Sequence, residues 1–219
     1  MRLERLGEKA VILRELPREP YEVARVLNAS WRGEGPAKFE EAVASYETVG
    51  LYFSEPISGT SFLEDAVSNA LSKAPSTIQP NQLTIQVCYE LGEDLQACAS
   101  SLGMTSDELI DIHLNTRYRC YAVGFSPGFA YLGYLDERIA SLPRLSSPRK
   151  KVEPGSVGIT GRQTAVYPSA TPGGWNLIGR CPFELVNLED GYFAIEPGDH
   201  IRFWRIDEGD FEKLKGVRL

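Results

Sequence analysis

Apolar residues recur along this chain with two different periods, and the shift from one to the other divides it. Residues 10–13 are a short apolar run. Val23, Val26, Leu27 and Ala29, within 21–31, fall near helical spacing, and 49–53 reads as a strand. Phe62, Leu63, Ala66, Val67, Ala70 and Leu71 form the stripe of a second helix. Ser61, three residues ahead of Glu64, predicts a capping box at its start, and Pro75 and Pro80 stop it. Leu83, Ile85 and Val87 then alternate with polar residues, which opens a second part of the chain and places a boundary near residue 82.

Two short helices are predicted next, over 93–101 and 105–114, with Thr105 or Ser106 as the cap ahead of Glu108 and Gly103 as a C-cap between them. From Arg119 onward, glycine and proline recur every few residues between stretches rich in Val, Ile, Tyr and Phe. That spacing predicts a turn-rich β barrel or sandwich, not alternating βαβ units. At the end, 192–195 and 201–206 flank Glu196-Pro197-Gly198-Asp199, a turn sequence that predicts a terminal hairpin. The expected fold class is therefore an α+β N-terminal domain over 1–82 followed by a mainly-β domain over 83–219.

Composition narrows the picture further. Hydrophobic residues make up 42% of the 219 and charged residues 24%, so a real core forms and disorder is excluded. The formal net charge is -7, and Lys and Arg are dispersed apart from Arg149-Lys150-Lys151, which argues against a nucleic-acid partner. The N-terminus shows no signal h-region and no run approaches the ~20 apolar residues that span a bilayer, so a soluble cytoplasmic protein without a membrane partner is expected. Cys88, Cys98, Cys120 and Cys181 contain no CxxC pair and read as reduced, buried thiols instead of metal ligands.

Three segments stand out: Gly124-Phe125-Ser126-Pro127-Gly128-Phe129-Ala130-Tyr131-Leu132; the stretch from Ser147-Pro148-Arg149 through Gly155-Ser156-Val157-Gly158-Ile159-Thr160-Gly161; and Thr171-Pro172-Gly173-Gly174-Trp175-Asn176-Leu177-Ile178-Gly179-Arg180. In order and spacing, with His113 and Tyr118 ahead of them, they resemble the family of the 5-oxoprolinase B subunit. That family also includes allophanate-hydrolase subunit 1 proteins, the matching segment of urea carboxylase and the sporulation-kinase inhibitor KipI. Glu153, Ala165 and Cys181 depart from the pattern, which bears on loop shape more than on membership.

The resemblance implies that the second domain is a cyclophilin-like barrel. It also implies partners, the C and A subunits of 5-oxoprolinase, and an ATP-dependent hydrolysis of 5-oxo-L-proline to L-glutamate by the assembly, with the chain inactive alone. A KipI-like inhibitor of a sensor histidine kinase and a urea carboxylase or allophanate hydrolase component are the alternatives. Residues 155–164 fail the phosphate-loop pattern, because Gly155 and Gly161 are followed by Arg162-Gln163 in place of Lys-Ser/Thr. The ATP used by the complex is therefore expected at a composite site or on a partner, and no metal-ligand motif is present.

The chemistry-bearing candidates lie in the second half. Arg149, on a constrained loop after Ser147-Pro148, and Arg180 are guanidiniums suited to gripping a carboxylate or phosphate; a surface ion pair is the other reading. Gln163 and Thr164 offer amide and hydroxyl groups for a lactam, or hydrogen bonds that stabilise a loop. Tyr131, Tyr167 and Trp175 either wall such a pocket or form plain core. His113, at a helix end whose carbonyls favour its cationic form, is the candidate acid-base residue, and His200 reads as structural. Arg149, Gln163 and His113 are expected to converge on one substrate pocket.

Overall fold

The computed structural model describes residues 1–32, 35, 36, 38–74 and 79–219, which form two units, Met1–Gln79 and Pro80–Leu219. In the first unit β1 (Arg2–Arg5), β2 (Ala10–Arg14), α1 (Pro20–Trp31), β3 (Phe39–Ser45), β4 (Thr48–Phe53) and α2 (Ser61–Lys73) follow one another. The strands pair antiparallel in the order β1, β2, β4, β3. Helix α1 starts with Pro20, whose missing N–H is one the first turn leaves unbonded anyway. It lays Val23, Val26, Leu27 and Trp31 on a core shared with Leu51, Phe53, Leu63 and Val67.

The capping box expected at Ser61 is absent. Thr60 is the cap residue, in helical conformation and without a side-chain cap bond, so Ser61 already lies inside the first turn. Helix α2 ends at Lys73, and Pro75 lies outside the described residues. Strands β1 and β3 went unread because charge dominates the first, Arg-Leu-Glu-Arg, and Glu40-Glu41 interrupts the second.

The second unit opens with β5 (Gln82–Val87), a tight 3-10 turn at Tyr89–Leu91, α3 (Leu95–Ser101) and α4 (Ser106–Asn115). The capping box expected at Thr105 and Glu108 is present, and Gly103 takes φ +71 after α3. The strands that follow are β6 (Tyr118–Val123), β7 (Ala130–Gly133), β8 (Arg149–Val152), β9 (Ser156–Thr160), β10 (Gln163–Val166), β11 (Thr171–Gly173), β12 (Asn176–Arg180), β13 (Val186–Asn187), β14 (Tyr192–Phe193) and β15 (His200–Arg205), and α5 (Glu208–Leu214) ends the unit.

Most of the pairing is antiparallel: β15 with β6, β6 with β7, β7 with β10, β10 with β9 and β9 with β12. Strand β5 joins β15 in parallel over its full length. The residue after β5, Cys88, exchanges two backbone hydrogen bonds of 2.9 and 2.8 Å with Arg180 at the end of β12, so the pairings return on themselves. Ile85, Val87, Leu109, Tyr118, Leu132, Val157, Ile159, Ile178 and Phe203 fill the core.

The terminal hairpin does not form. Strand β14 pairs with β13, while β15 pairs with β5 and β6. The turn between them is folded onto other chain: the Asp199 carboxylate accepts from Glu196 N at 2.8 Å and Asn81 N at 2.9 Å, and Gly198 N donates to Cys120 O. His200 starts β15, opposite Arg119 and Gln82.

Candidate functional site

The three glycine-rich segments meet around one aromatic cluster. Phe129 from the first segment lies 5.1 Å from Tyr167 and 5.6 Å from Trp175 of the third, each ring edge-on to it, and Tyr131 lies 5.0 Å from Phe129. Val152 of the second segment and Leu177 of the third complete the cluster. Tyr167 is fully buried and burial raises its phenol, whereas Tyr131 remains half-buried. These aromatics therefore hold the loops together.

Arg149 is engaged within the chain. Its Nη2 donates to both carboxylate oxygens of Asp94 at 2.7 and 2.8 Å, its Nη1 donates to Trp175 O at 3.3 Å, and its Nε lies 3.4 Å from Glu93. Asp94 Oδ2 also accepts from Leu177 N at 2.6 Å, and Asp94 N donates to Leu177 O at 2.8 Å. The carboxylate that would otherwise cap α3 is thus committed to fastening β8 and β12 to the helix start. One cation facing two carboxylates leaves little attraction for a third anion.

His113 belongs to a different network. It is fully buried, stacked 4.5 Å from Phe203, with Nδ1 2.7 Å from the Tyr89 hydroxyl and Nε2 3.1 Å from Thr164 Oγ1. Thr164 donates its own proton to Gly158 O at 3.1 Å, so it accepts from Nε2–H, and Nδ1 accepts from Tyr89. The ring is neutral: burial pushes its pKa down to about 3. This corrects the expected cation, because a helix terminus contributes at most ~2 kcal/mol and desolvation of a fully buried charge outweighs it.

The hydrogen-bond networks of Arg149 and His113 share no residue. Gln163 and Thr164 are successive in β10 and so project to opposite sides of the sheet. Arg149 and His113 thus take part in separate networks, with Gln163 next in β10 to the Thr164 that bonds His113.

Arg180 is placed differently. Its backbone is fixed on one side by Cys88 and on the other by its pairing with Ser156. Its Nε donates to Pro154 O at 3.3 Å and its guanidinium lies 6.0 Å from the centre of the Phe211 ring. Neither terminal nitrogen has a partner among the described residues. The fork faces a cleft of about 380 Å³ lined by Pro154, Pro168, Phe183, Glu184, Phe211 and Lys215, among others. Glu184 is engaged by Arg218 at 3.0 Å and Glu153 by Lys151 at 2.8 Å; Glu153 also feels the Arg180 charge, so the guanidinium has an acidic neighbour without a hydrogen bond to it. Gly155 forms its floor with φ +81, and a Cβ there would collide with Cys181 O.

Asp94, Glu93, Phe211 and Lys215 escaped sequence reasoning. Nothing in spacing links Asp94 to a residue 55 positions away, but Asp207 ahead of Phe211 and Leu214 is a readable helix start. All four cysteines are free and buried; burial pushes Cys88 and Cys98 up to about 11 and Cys120 and Cys181 to about 12, which leaves their thiols unreactive near neutrality. Among the described residues no group of His, Cys, Asp and Glu is arranged to hold a metal, and no helix is long and apolar enough to cross a membrane.

The second unit is thus a mostly antiparallel sheet with three motif segments gathered on one aromatic cluster. The chain belongs to the family described as carboxyltransferase domain, subdomain C and D, whose model matches residues 1–193. Among its relatives, the 5-oxoprolinase B subunit of Bacillus subtilis (strain 168) is 47% identical over 134 residues, which are 60% of this chain and 55% of that protein. The Escherichia coli O157:H7 protein of the same name is 43% identical over 119 residues, 54% of each. The chain thus spans about half the length of the curated relatives it matches. Urea amidolyase of Saccharomyces cerevisiae is 26% identical over 155 residues, covering 65% of this chain and 8% of that one.

Among solved structures, TTHA0988 superposes with a TM-score of 0.73 at 30% identity, over 91% of this chain and 40% of that one. The uncharacterized protein PH0987 from Pyrococcus horikoshii does so with 0.55 at 33% identity, over 95% and 99%.

Proposed function

We propose that this chain acts as the B subunit of an ATP-dependent 5-oxoprolinase, working in the cytoplasm with the A and C subunits to open 5-oxo-L-proline to L-glutamate. The observation that carries this reading is the 47% and 43% identity to proteins named as the B subunit of 5-oxoprolinase. The return of the strand pairings through Cys88 and Arg180 supports a cyclophilin-like barrel over 83–219, following a small α+β domain over 1–82.

In the proposed reaction the lactam oxygen takes the γ-phosphoryl group of ATP, which makes the ring carbon electrophilic. Water adds there, the carbon–nitrogen bond breaks and the nitrogen takes a proton. The acyl phosphate that remains is hydrolysed by a second water to glutamate and phosphate. Within this chain the Arg180 cleft supplies what a small anionic lactam needs first, a fixed guanidinium with a free planar fork beside apolar walls. Arg149 keeps the neighbouring loops in place, and His113 with Thr164 and Tyr89 ties the core behind them.

The test is co-purification with candidate A and C subunits, followed by 5-oxoproline-dependent ATP hydrolysis with glutamate measured as product. Absence of both association and turnover defeats the proposal. The urea amidolyase relative favours one competing reading, a urea-carboxylating component, and urea in place of 5-oxoproline in the same assay distinguishes it.

A further inference from the structure

The edge of β15 opens where β6 leaves it. Strand β6 pairs with β15 only as far as Tyr118 opposite Ile201, and beyond that point the end of α4 and the chain leading into β6 diverge from the strand. A groove of about 460 Å³ lies in the gap, lined by Thr84, Thr116, Arg117, Arg202 and Trp204, among others. None of its lining residues is acidic, which makes it a basic spot on a chain of net charge -7.

The backbone of β15 contributes as much to the groove as its side chains do. His200 N and Ile206 N donate to Asn81 O and Val87 O, so the even positions turn their backbone groups to β5 and the odd positions turn theirs to the opposite edge. Phe203 is an odd position. Its ring is in the core, stacked 4.5 Å from His113, so what it turns to the groove is its N–H and C=O. Neither group has a hydrogen bond among the described residues.

Arg202 and Trp204, two apart on the strand, share its outer face. Trp204 is 64% exposed. The Arg117 and Arg202 side chains have no hydrogen-bond or ion-pair partner among the described residues, whereas Arg205 is held by Glu90 at 2.6 Å and Asp107 at 3.0 Å. Charged side chains on an open strand edge can serve only to keep other strands away, but an exposed indole beside them works against that purpose by adding apolar area to the edge.

Three features select the occupant. Guanidiniums without an acidic partner call for carboxylates, and the indole calls for an apolar ring. The open N–H and C=O of Phe203 call for a backbone with groups of its own to share. A helix bonds its backbone internally and a small anion leaves the C=O unmet, whereas an extended segment answers both groups. We propose that this groove receives a short extended segment of a partner protein, which pairs with the Phe203 backbone and brings a carboxylate to Arg117 and Arg202 and an apolar ring to Trp204. The groove has no lining residue in common with the Arg180 cleft, and the proposal goes beyond the function assigned above.

The experiment titrates the full chain with capped pentapeptides that carry glutamate and phenylalanine two positions apart, in either order, with threonine elsewhere. That spacing puts both side chains on one side of an extended peptide. A saturable change in tryptophan emission is expected with one order or the other. Trp31 and Trp175 are buried, so the change reports Trp204, and its loss in Trp204→Phe confirms the source. Lysine in place of glutamate, and N-methylation of the peptide backbone with its side chains kept, are each expected to raise the Kd at least about tenfold. Arg202→Ala is expected to raise it about tenfold with an unchanged melting temperature. At saturation, hydrogen exchange of the Phe203 amide should slow at least about tenfold.

Absence of saturable binding by both orders, equal affinity for the lysine or the N-methylated peptide, or unchanged exchange at Phe203 overturns the proposal. Displacement of the peptide by inorganic phosphate at equal concentration would make the groove a plain anion site and overturns it as well. The readout needs no turnover, so it stands or falls apart from the hydrolysis of 5-oxoproline.

Discussion

Arg149 Nη2 sits between the two carboxylate oxygens of Asp94, at 2.7 and 2.8 Å, and thereby turns a loop arginine into a clamp on the start of α3. Both side chains are mostly buried, at 22% and 19% exposure, so this pair is less screened than a surface one. Removing one partner leaves the other desolvated and unpaired. Arg149→Ala and Asp94→Asn are each expected to destabilise the fold by about 1 to 3 kcal/mol. The double variant should lose less than the sum. Denaturant unfolding of all four proteins measures the coupling, and strict additivity would show that the contact contributes nothing of its own.

The His113 network predicts an acid sensitivity with a definite sign. Above pH 6.5 the ring is neutral both folded and unfolded, and it contributes no pH dependence. Below that value the unfolded chain takes a proton that the folded one refuses until about pH 3, so stability falls with pH across this window. The slope approaches ~1.4 kcal/mol per pH unit for this single site. Between pH 6.5 and 5, before most carboxylates titrate, His113→Gln should flatten the decline. The His113→Gln variant is also expected to be less stable at pH 8, since Tyr89 and Thr164 lose fitted partners.

Two glycines of one segment separate backbone conformation from crowding. Gly161, at φ +51, has nothing within 4 Å of an added Cβ, so Gly161→Ala is expected to cost only about 1 kcal/mol of conformational strain. Gly155, at φ +81, would drive a Cβ into Cys181 O, a backbone atom of the residue whose N–H donates to Gly155 O at 2.7 Å. Gly155→Ala should therefore cost several-fold more and distort the Arg180 cleft. Melting temperatures of the two variants, compared side by side, test the difference.

Local pattern carried much of the fold and little of the site. Helix α4 was legible to within one residue at each end because Thr105 and Glu108 satisfy each other within four positions, and β5 because Leu83, Ile85 and Val87 alternate. The partners of β15 were not, since Glu196-Pro197-Gly198-Asp199 specifies a turn without saying what the turn rests on; its anchor, Asn81, is 118 positions from Asp199. The surroundings of the site candidates were hidden for the same reason. Arg149 and Arg180 look alike in sequence, and only Asp94, Glu93 and Phe211 reveal that one is clamped between two carboxylates while the other keeps its terminal nitrogens without a hydrogen bond among the described residues.

That difference makes Arg180 the decisive substitution. Its terminal nitrogens have no partner among the described residues, and its contact with Phe211 at 6.0 Å is worth ~0.5 to 1 kcal/mol at an exposed position, so Arg180→Ala should fold. In the assembled complex the variant loses a charge-assisted hydrogen bond to the substrate carboxylate, a loss on the order of 1.5 to 3 kcal/mol in kcat/KM for 5-oxoproline. Most of the change should appear in KM, because the carboxylate is equally charged before and during ring opening. Arg180→Lys should recover part of it, keeping the charge without the planar fork. Lys215→Ala should do less harm, since Glu212 already holds that ammonium at 3.1 Å. The measurement is steady-state ATP hydrolysis against 5-oxoproline concentration, with complex assembly and melting temperature as controls. Unchanged kinetics in Arg180→Ala, with the complex intact, would remove the cleft from the reaction and leave it a structural seam between β12 and α5.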